Sequence, residues 1–486
     1  MRPITALYAP VALWERHWSY VVEMAYREVE LGSIPLVIHC SKALKSCAAN
    51  PDNLKWKCAQ CTYQVKQSIL RHFPRETQHL FVGQKDINHY IETLDLPRID
   101  NQDEMSNFYF ENFPFGQSVI SHLVSMNKDR HIPDNIIKSL GQPLLKNCLA
   151  MYKALENLLP GDVRKVALWG GRRSSESPMK YLAYKKGLDI LFFEEGSTVD
   201  NLFITDSDPF NFSNQHKEIR KWEAQRISGG EIQSMLHEGD LYFQQRKTGT
   251  SNEPNFIHFL RGSYPIELTS RDSKPILGIF SSSDWEFAEI ETDNAQRNIM
   301  SLKNQYSMLH EILNDETLND RFEIYIRWHP NHRNAGTYEK SRIQLTRNMF
   351  PQIKHISFDE NVDSYSLIQC SAVVLVFGST IGIEAAYSGI PTVLLGNASY
   401  AGLGSVHEPK DIDELRLLLR GTIEALPTYG ARVFGDYMKN RGSRLRYVNY
   451  SDSGFSIANQ RVKNVKLTVR LRFSLAKIKG ALTDKL

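Results

Sequence analysis

The most specific arrangement of ligand-binding residue types in the sequence is FGSTIGIEAA at residues 377–386. It follows an apolar run that predicts a buried strand, and its second half has the pattern of a helix. The N–H groups at the start of that helix would attract a phosphate, and small residues would let a ligand approach the backbone. Two hydroxyls can cap the helix or donate to the same phosphate, and a glutamate one turn later can accept from ribose hydroxyls. An ordinary capped helix is the alternative. The predicted contacts are Gly378, Ser379, Thr380, Gly382 and Glu384.

A second set of candidates ends the predicted strand EIYIRWHP at residues 323–330. Ligands of open α/β sheets bind beyond the carboxyl ends of the strands. We expect Arg327 to pair with a phosphate through two N–H groups, and His329, which precedes Pro330, to donate to a phosphate oxygen. A structural histidine is the alternative, but the adjacent arginine and proline favour the functional interpretation.

Three serines, Ser281, Ser282 and Ser283, follow the predicted strand PILGIF. A hydroxyl-rich turn at this place predicts a further contact for a donor or an acceptor, and a helix-capping run is the alternative. The sequence contains no Walker-type phosphate loop and no carboxylate pair spaced for an obligatory divalent metal. We therefore predict that catalysis requires no cofactor.

In the first half of the chain, polar residues follow two further predicted strands. Gly171, Arg172 and Arg173 come after KVALW, and Glu194 and Glu195 come after DILFF, so both sets should lie at one edge of a sheet. If the reaction transfers a group to a hydroxyl of an acceptor, a base must take the proton of that hydroxyl, and a carboxylate at a strand end suits that role. We predict Glu194 as the base, with Glu195 as its positioner or as the alternative base. The two arginines would hold an acidic acceptor or simply solvate a loop, and a polar turn is the alternative for both sets.

Four of the six cysteines are clustered, at Cys40, Cys47, Cys58 and Cys61. A tetrahedral zinc site needs four thiolates, and the C-x2-C pair is the common half of one. The first two cysteines are spaced more loosely than in a standard zinc knuckle. The cluster predicts a structural zinc site, and free buried cysteines are the alternative.

Apolar runs alternate with helical patterns along the whole chain of 486 residues, which predicts an α/β protein with parallel sheets. Five strands are expected in the first half, in ITALYAP, IPLVIHC, HLFVG, KVALWG and LDILFFEE. Five more are expected in the second half, in PILGIFSS, EIYIRWHP, IKHISF, SAVVLVFG and PTVLLG. The hydrophobic content of 42% and charged content of 23% are those of a globular protein and exclude general disorder.

The chain is too long for one ordinary core, so we predict more than one domain. Residues 1–262 are expected to form an N-terminal, acceptor-side Rossmann-like domain with a polar helical insertion at about 206–250. Residues 270–430 are expected to form a second such domain that binds the nucleotide. C-terminal helices and a basic tail would follow at 431–486.

From Arg461 onward, eight lysines and arginines face a single acid, Asp484, with apolar residues between them. Such a basic amphipathic element can lie on an anionic membrane surface, and a terminal helix packed on the core is the alternative. No apolar run is long enough for a transmembrane helix, and the N-terminus reads as a strand and not as a signal peptide. We expect a cytoplasmic protein that is peripheral at the inner membrane if the tail binds lipid.

Taken in order, GGR, EEG, SSSDWEF, RWHPN and FGSTIGIEAAYSGIPTVLLG resemble the motifs of bacterial capsule polysaccharide glycosyltransferases. That group includes Kdo transferases and bacterial polysialyltransferases, and the resemblance spans roughly residues 160–440. It implies a GT-B fold, in which two doubly wound Rossmann-like domains face a cleft. It also implies metal-independent transfer of a sugar from a nucleotide donor, often CMP-linked, to a capsule, lipopolysaccharide or other surface glycan.

The resemblance also implies roles for individual residues. The acid-acid-Gly motif supplies the general base, which corresponds to Glu194. The His-Pro motif, here His329-Pro330, contacts the nucleotide phosphate, and the serine-rich motif corresponds to Ser379 and Thr380. Epimerization of a nucleotide sugar and transfer of glycerophosphate are alternative activities on related architecture. A nucleotide-binding subunit without catalysis is a third alternative, whereas dispersed basic residues argue against nucleic-acid binding.

Overall fold

The computed structural model describes residues 2–47, 49–253, 274–288, 304–451 and 454–457. The basic tail from Arg461 lies outside the described residues, as does most of the predicted linker at 262–274. Within the described ranges, no helix has the length and apolar content needed to cross a membrane.

The chain divides into two compact units. Unit 1 is formed by the described parts of residues 1–126, 132–209 and 442–486. Unit 2 is formed by the described parts of residues 127–131 and 210–441. Unit 1 therefore takes up the chain on both sides of unit 2.

The sheet of unit 1 contains seven strands, of which the first five in the chain run parallel. The strands are β1 (Ile4–Ala9), β2 (Ile34–Ser41), β3 (Gln78–Gly83), β4 (Val163–Trp169), β5 (Asp189–Glu195), β6 (Asn201–Thr205) and β12 (Ser443–Arg444). Their order across the sheet is β12-β6-β5-β4-β1-β2-β3, with β6 antiparallel to both of its neighbours. Strand β1, the middle one of the five parallel strands, is buried at every position, and its sequence is apolar apart from Thr5.

Helices cover the parallel part of this sheet, and the largest aromatic side chain in its core is Trp18 of the first helix. The helices of unit 1 are α1 (Glu15–Glu30), α2 (Lys55–Arg71), α3 (Gln84–Thr93), α4 (Gln102–Ser106), α5 (Phe115–Asn127), α6 (Asp134–Ile136), a π-helical turn (Ile137–Gly141), α7 (Gln142–Leu158) and α8 (Ser177–Lys186). A short hairpin of β13 (Val448–Ser451) and β14 (Gly454–Ile457) completes the described part.

The sheet of unit 2 contains five parallel strands. They are β7 (Ile276–Phe280), β8 (Glu323–Arg327), β9 (Lys354–Ile356), β10 (Ser371–Val376) and β11 (Thr392–Leu394). Their order is β11-β10-β7-β8-β9. All ten strands predicted from the sequence are therefore confirmed, and both units have the parallel α/β architecture of Rossmann-like domains.

Two apolar cores, one of which includes Trp328 and the other Phe434, fill unit 2. Its helices are α9 (Phe212–Ser228), α10 (Ile232–Thr248), α11 (Asp284–Ala288), α12 (Gln305–Leu313), α13 (Glu316–Arg321), a 3-10 turn (Pro330–Asn334), α14 (Thr337–Met349), α15 (Ser364–Cys370), α16 (Ile381–Tyr387), α17 (Ile412–Arg420) and α18 (Tyr429–Asn440).

The units differ from the predicted domains in the place of the helical insertion. Helices α9 and α10 belong to unit 2, not to an N-terminal domain ending at residue 262. The reason is close packing of α10 on α18, where a Cβ on Gly239 would collide with the backbone of Arg432. Tyr242 and Phe243 are buried in the same core as Phe434, although α10 looks polar in sequence.

The second difference lies at the C-terminal side. The prediction assigned residues 431–486 to terminal helices and a tail, but the chain returns to unit 1 after α18. There, β12 pairs with β6, and Leu445, Val448 and Ile457 join the apolar core around α1. These short strands are too brief to show a period in the sequence.

Candidate functional site

The carboxyl edge of the unit 2 sheet brings three of the predicted motifs together. The central strand β7 lies between β8 and β10, and the chain runs outward from β7 to β9 before it returns as β10 on the other side. The strand order reverses between β7 and β10, and α/β sheets bind ligands at such a reversal. The loops at 281–283, 328–331 and 377–380 therefore share this edge.

The serines after β7 and the histidine after β8 are joined by hydrogen bonds. The backbone N–H of His329 donates to Oγ of Ser281 over 2.9 Å, and Oγ of Ser283 lies 3.0 Å from Nδ1 of His329. The Ser281 hydroxyl also donates to the carbonyl of Arg327 over 3.4 Å. These residues therefore form one hydrogen-bonded group, and their contact with a ligand stays a prediction.

The contacts of His329 determine which ring nitrogen carries the proton. The backbone N–H of Asn331 donates to Nδ1 over 3.2 Å, so Nδ1 is an acceptor and the proton lies on Nε2. Burial, followed by the charges of His332 and Arg327, lowers the pKa of His329 to about 3. The ring is therefore neutral at physiological pH, and it can donate one hydrogen bond from Nε2 without titrating.

Ser282, the middle serine, is held through its backbone. Its N–H donates to Oε1 of Gln305 over 3.1 Å, and its carbonyl accepts from Nε2 of Gln305 over 2.8 Å. Its hydroxyl is buried and has no hydrogen-bond partner among the described residues. The geometry therefore favours Ser281 and Ser283, and not Ser282, as the serines that act through His329.

The loop at 377–380 is shaped by packing more than by access for a ligand. Gly378 has a φ of 127°, and a Cβ there would lie 2.6 Å from the carbonyl oxygen of Asn397 and 2.7 Å from the ring of Phe287. A Cβ on Gly382 would lie 2.5 Å from the hydroxyl of Tyr400. Glycine is required at both positions because other parts of unit 2 already occupy the space.

Ser379 is also engaged within the loop. Its Oγ accepts from the N–H of Ile381 over 3.4 Å, and its carbonyl accepts from the hydroxyl of Tyr400 over 2.6 Å. Thr380 precedes α16 without a side-chain cap. The predicted capping role of these two hydroxyls is thus met only weakly, by Ser379.

Glu384 differs from its prediction as a ribose ligand. Its side chain is 3% exposed and forms an ion pair with Arg246, whose Nη2 lies 2.8 Å from Oε1. The hydroxyl of Tyr365 donates to the other carboxylate oxygen. Arg246 also donates to Oγ1 of Thr380 over 3.3 Å, so this buried pair fixes the start of α16. Arg246 was not predicted, because it lies in a polar helix 138 residues away in sequence.

Arg327 also differs from its prediction as a phosphate ligand. Its guanidinium is buried and donates to the carbonyls of Ser357 and Glu360, the latter over 3.1 Å. Burial lowers the pKa of Arg327. Through these two hydrogen bonds the side chain of Arg327 links the end of β8 to the loop after β9.

A buried carboxyl that the sequence analysis missed supports the serine loop from below. Oε1 of Glu339 accepts from the N–H of Asp284 over 2.8 Å and lies 3.0 Å from Nε2 of His332. Burial is the main cause that raises the pKa of Glu339 to about 7. The only signal in the sequence was a glutamate within a polar helix, which is not specific.

In unit 1, the strand order reverses between β1 and β4. The loop after β4 contains Gly171, where φ is 86° and a Cβ would lie 2.8 Å from a methyl of Leu168. The carbonyl of Arg173 accepts from the N–H of Ser177 over 2.9 Å, and its guanidinium lies 5.7 Å from the ring centroid of Trp14 in the loop after β1. The charges of Arg172 and Arg173 lie close enough to the buried Glu176 to oppose the effect of burial, which raises the pKa of that carboxyl.

The two adjacent glutamates of β5 have different surroundings. Oε1 of Glu195 lies 2.7 Å from Nη1 of Arg16 and 3.8 Å from Nε2 of His17. Glu194 pairs in register with Phe203 of β6 and points to the opposite face of the strand. Glu195 therefore does not position Glu194 directly, which corrects that part of the prediction.

A polar group at the same edge of unit 1 was not predicted. Nδ1 of His122 lies 2.6 Å from Oγ of Ser174, and both side chains are buried. Burial, with a smaller effect of Arg173, lowers the pKa of His122 to about 3. The apolar sequence around His122 in α5 hid this contact.

The four clustered cysteines line one pocket of about 20 Å³ in unit 1. Burial raises the pKa of Cys40 to about 11 and that of Cys47 to about 12. Among the residues that the structure describes, no group of three or more His, Cys, Asp or Glu side chains is arranged to hold a metal ion.

Residues 289–414 match the family model described as capsule polysaccharide biosynthesis protein. The family resemblance is confirmed for this part of the chain. The matched region includes the loops after β8 and β10 described above. No curated protein matches the chain.

The chain is also similar to solved structures. One is KpsC of Thermosulfurimonas dismutans, a β-Kdo 2,4 transferase, with 15% identity, a TM-score of 0.37, and coverage of 57% of this chain and 80% of that chain. A β-Kdo 2,7 transferase of the same organism has 14% identity, a TM-score of 0.36, and coverage of 60% and 80%. A UDP-GlcNAc 2-epimerase from Neisseria meningitidis has 10% identity, a TM-score of 0.24, and coverage of 90% and 100%.

Proposed function

We propose that the protein is a glycosyltransferase of surface polysaccharide synthesis that binds a nucleotide-sugar donor on unit 2. The observation that carries the proposal is the group of Ser281, Ser283 and His329 at the reversal of strand order in unit 2. The match of residues 289–414 to the capsule polysaccharide biosynthesis family supports a role in the synthesis of surface polysaccharide. The donor nucleotide is proposed to be CMP-linked and the acceptor to be a glycan or glycolipid.

In this proposal His329 donates from Nε2 to a phosphate oxygen of the donor. A neutral imidazole suits a phosphate that leaves with the nucleotide, because it adds a directed hydrogen bond from Nε2–H without a change in its own protonation state. The positive charge of an arginine is not needed for that contact, which agrees with the engagement of Arg327 by backbone carbonyls. The loop at 377–380 is proposed to offer backbone N–H groups to the same nucleotide.

The acceptor and the base are assigned to unit 1. Glu194 is proposed as the base that takes the proton of the acceptor hydroxyl, since it lies at the carboxyl end of β5 beside the loop after β4. Glu195 is the weaker candidate because its Oε1 is engaged in an ion pair with Nη1 of Arg16 over 2.7 Å. The Arg172–Arg173 loop is proposed to contact the acceptor.

Binding of the donor is tested first by thermal shift of the full-length protein with CMP, CDP, UDP and GDP. A nucleotide that binds the folded state raises its melting temperature by mass action, so we expect one base to stand out. His329→Ala should reduce the shift, whereas Arg333→Ala, a substitution of an exposed residue on the 3-10 turn that follows His329, should retain it. Equal shifts for all four nucleotides, or no shift with any of them, would overturn the proposal of a nucleotide site on unit 2.

Activity is tested by following a donor labelled in the sugar. Incorporation of the label into a polymer or glycolipid supports transfer to a glycan. Recovery of the label in an epimeric nucleotide sugar, or of a polyol phosphate, would instead assign one of the alternative reactions. The reaction should proceed in the presence of a chelator, because the proposal requires no divalent metal. Association with the membrane through residues 461–486 is tested by vesicle sedimentation of the full chain and a truncated one.

A further inference from the structure

We propose that Cys40, Cys47, Cys58 and Cys61 are the ligands of one structural zinc ion that fixes the loop after β1. We call these four residues the thiol cluster. The inference concerns unit 1 and does not depend on the reaction proposed above.

The thiol cluster gathers side chains from three separate parts of the chain. Cys40 lies near the end of β2, Cys47 lies in a turn that is closed by hydrogen bonds to Asn50, and Cys58 and Cys61 lie in the first turns of α2. All four line the same pocket of about 20 Å³. That volume has room for one ion or one water molecule and not for a cluster of several metals.

Three of the four sulfurs in the thiol cluster accept hydrogen bonds from N–H donors. The N–H of Leu44 donates to Cys40 over 3.5 Å, that of Ala12 donates to Cys61 over 3.4 Å, and the side-chain amide of Asn50 donates to Cys58 over 3.2 Å. Donors aimed at sulfur stabilise thiolates, and metal-bound thiolates commonly have such outer contacts.

The pocket also supplies charge that suits a four-thiolate site. A zinc ion with four thiolates has a net charge of −2, and Lys42 and Lys57 line the same pocket. The two lysines that line the pocket would offset the excess negative charge of such a site. The two other cysteines of the chain, Cys148 and Cys370, lie outside the pocket.

Binding requires the sulfurs to move inward, because in this structure no three of the described side chains stand at metal-binding geometry. A zinc–sulfur bond is about 2.3 Å long, and a cysteine sulfur changes position by rotation about one bond. Each thiol loses its proton when it binds, so occupation of the site releases four protons and leaves the oxidation states unchanged.

The site would fix the edge of unit 1 where the strand order reverses. Pro10, Val11 and Leu13 of the loop after β1 line the pocket, and Ala12 is hydrogen-bonded to Cys61. The next residue, Trp14, faces the guanidinium of Arg173 in the loop after β4. A metal here would therefore hold the loop after β1 in place, and its role would be structural.

The test measures zinc in the full-length protein purified under reducing conditions. We expect about one zinc per chain, which a mercurial reagent releases as the thiols react. A Cys148→Ser/Cys370→Ser variant should retain the zinc, and a Cys58→Ser/Cys61→Ser variant should lose it. Less than half an equivalent of zinc in wild type, or zinc retained by the second variant, would overturn the proposal.

A second measurement covers the case in which the cysteine variants fail to fold. Cobalt added to the metal-free wild-type protein should produce the intense absorption of sulfur-to-cobalt charge transfer, with the tetrahedral bands at longer wavelength. Iron and visible absorption in the protein as purified would instead assign an iron–sulfur centre. A disulfide between the cysteines of the C-x2-C pair, with no metal, would assign a redox role. Either of these outcomes contradicts the zinc site.

Discussion

The loops at the carboxyl edges of the two sheets differ in how their candidate residues are held. In unit 2, the serines after β7 and the histidine after β8 are bonded directly to one another. In unit 1, the two adjacent glutamates of β5 lie on opposite faces of the strand, and Glu195 forms an ion pair with Arg16. Residues on neighbouring strands can therefore cooperate more closely than residues that are adjacent in sequence, because a strand alternates its faces.

The sharpest test of this difference is the exchange of each glutamate of β5 for glutamine. We expect Glu194→Gln to lower turnover about 10²- to 10⁴-fold, which is the usual contribution of a general base. Nucleotide binding on unit 2 should persist, because the substitution keeps the size of the side chain. Rates are measured with the labelled donor at saturating concentration.

Glu195→Gln is the matched control for that substitution. It removes the ion pair with Arg16 and should change the melting temperature more than the rate. If Glu195→Gln abolished turnover and Glu194→Gln did not, the base would be Glu195 and the two assignments would exchange.

The second prediction concerns the buried pair that fixes α16 in unit 2. Arg246→Met leaves Glu384 buried with an uncompensated charge, so we expect a loss of about 3–5 kcal/mol in the free energy of unfolding. The double variant Arg246→Met/Glu384→Gln should recover part of that loss. Arg333→Met, which breaks an exposed pair with Asp359, should cost at most about 1 kcal/mol. Urea unfolding measures all three, and equal losses would contradict a structural role for the pair.

A third prediction follows from buried histidines in both units. Burial holds the pKa of His122 in unit 1 and of His329 in unit 2 at about 3, whereas an unfolded histidine titrates near 6.5. The stabilisation from each is full above pH 6.5 and is lost as the pH falls, because only the unfolded state then binds the proton. When the pH falls from 6.5 to 5, each of these histidines should lower the free energy of unfolding by about 2 kcal/mol. Unfolding in urea at both pH values measures this loss.

The control compares variants in the two units. His122→Gln should have a shallower fall of stability with pH than wild type, and so should His329→Gln. A stability that is unchanged between pH 6.5 and 5 would contradict the burial of both rings.

The smallest expected effect is that of His329 on nucleotide binding. His329→Ala should weaken binding about tenfold, which corresponds to one hydrogen bond to a charged group at about 1.4 kcal/mol. Wild type and His329→Ala should have the same pH dependence of binding between pH 6 and 8, because a ring with a pKa of about 3 does not titrate there, whereas the terminal phosphate of the nucleotide does. A dependence centred near pH 6.5 that His329→Ala removes would show that His329 binds as a cation.

The sequence was sufficient to predict the strands but not all of the side-chain roles. Every predicted strand is present, since long apolar runs such as SAVVLVFG have only one buried arrangement in a parallel sheet. Arg327 and Glu384 were predicted to contact the nucleotide because they lie near strand ends. In the structure, Arg327 donates hydrogen bonds to backbone carbonyls and Glu384 forms an ion pair with Arg246. Those partners, Arg246 and the carbonyls after β9, come from distant segments that no local pattern identifies.

The same reason explains the residues that were missed. His122 and Glu339 lie in helices and reach the edges of their sheets only through tertiary packing. Helices α9 and α10 were predicted to belong to the N-terminal domain, whereas they are part of unit 2. Their polar composition hid the small buried face around Gly239. Periodicity identifies a buried face when that face is broad, and the buried residues of α10 are only Met235, Gly239, Tyr242 and Phe243.

The return of the chain to unit 1 after α18 has a consequence for biosynthesis. The edge strand β12 and the apolar side chains of Leu445, Val448 and Ile457 are translated only after the whole of unit 2. During translation unit 1 therefore has an incomplete core and lacks the outer neighbour of β6 until residues 442–457 are made. A chain truncated after residue 441 would contain all of unit 2, whereas the edge of unit 1 at β6 would be open to pairing with another chain.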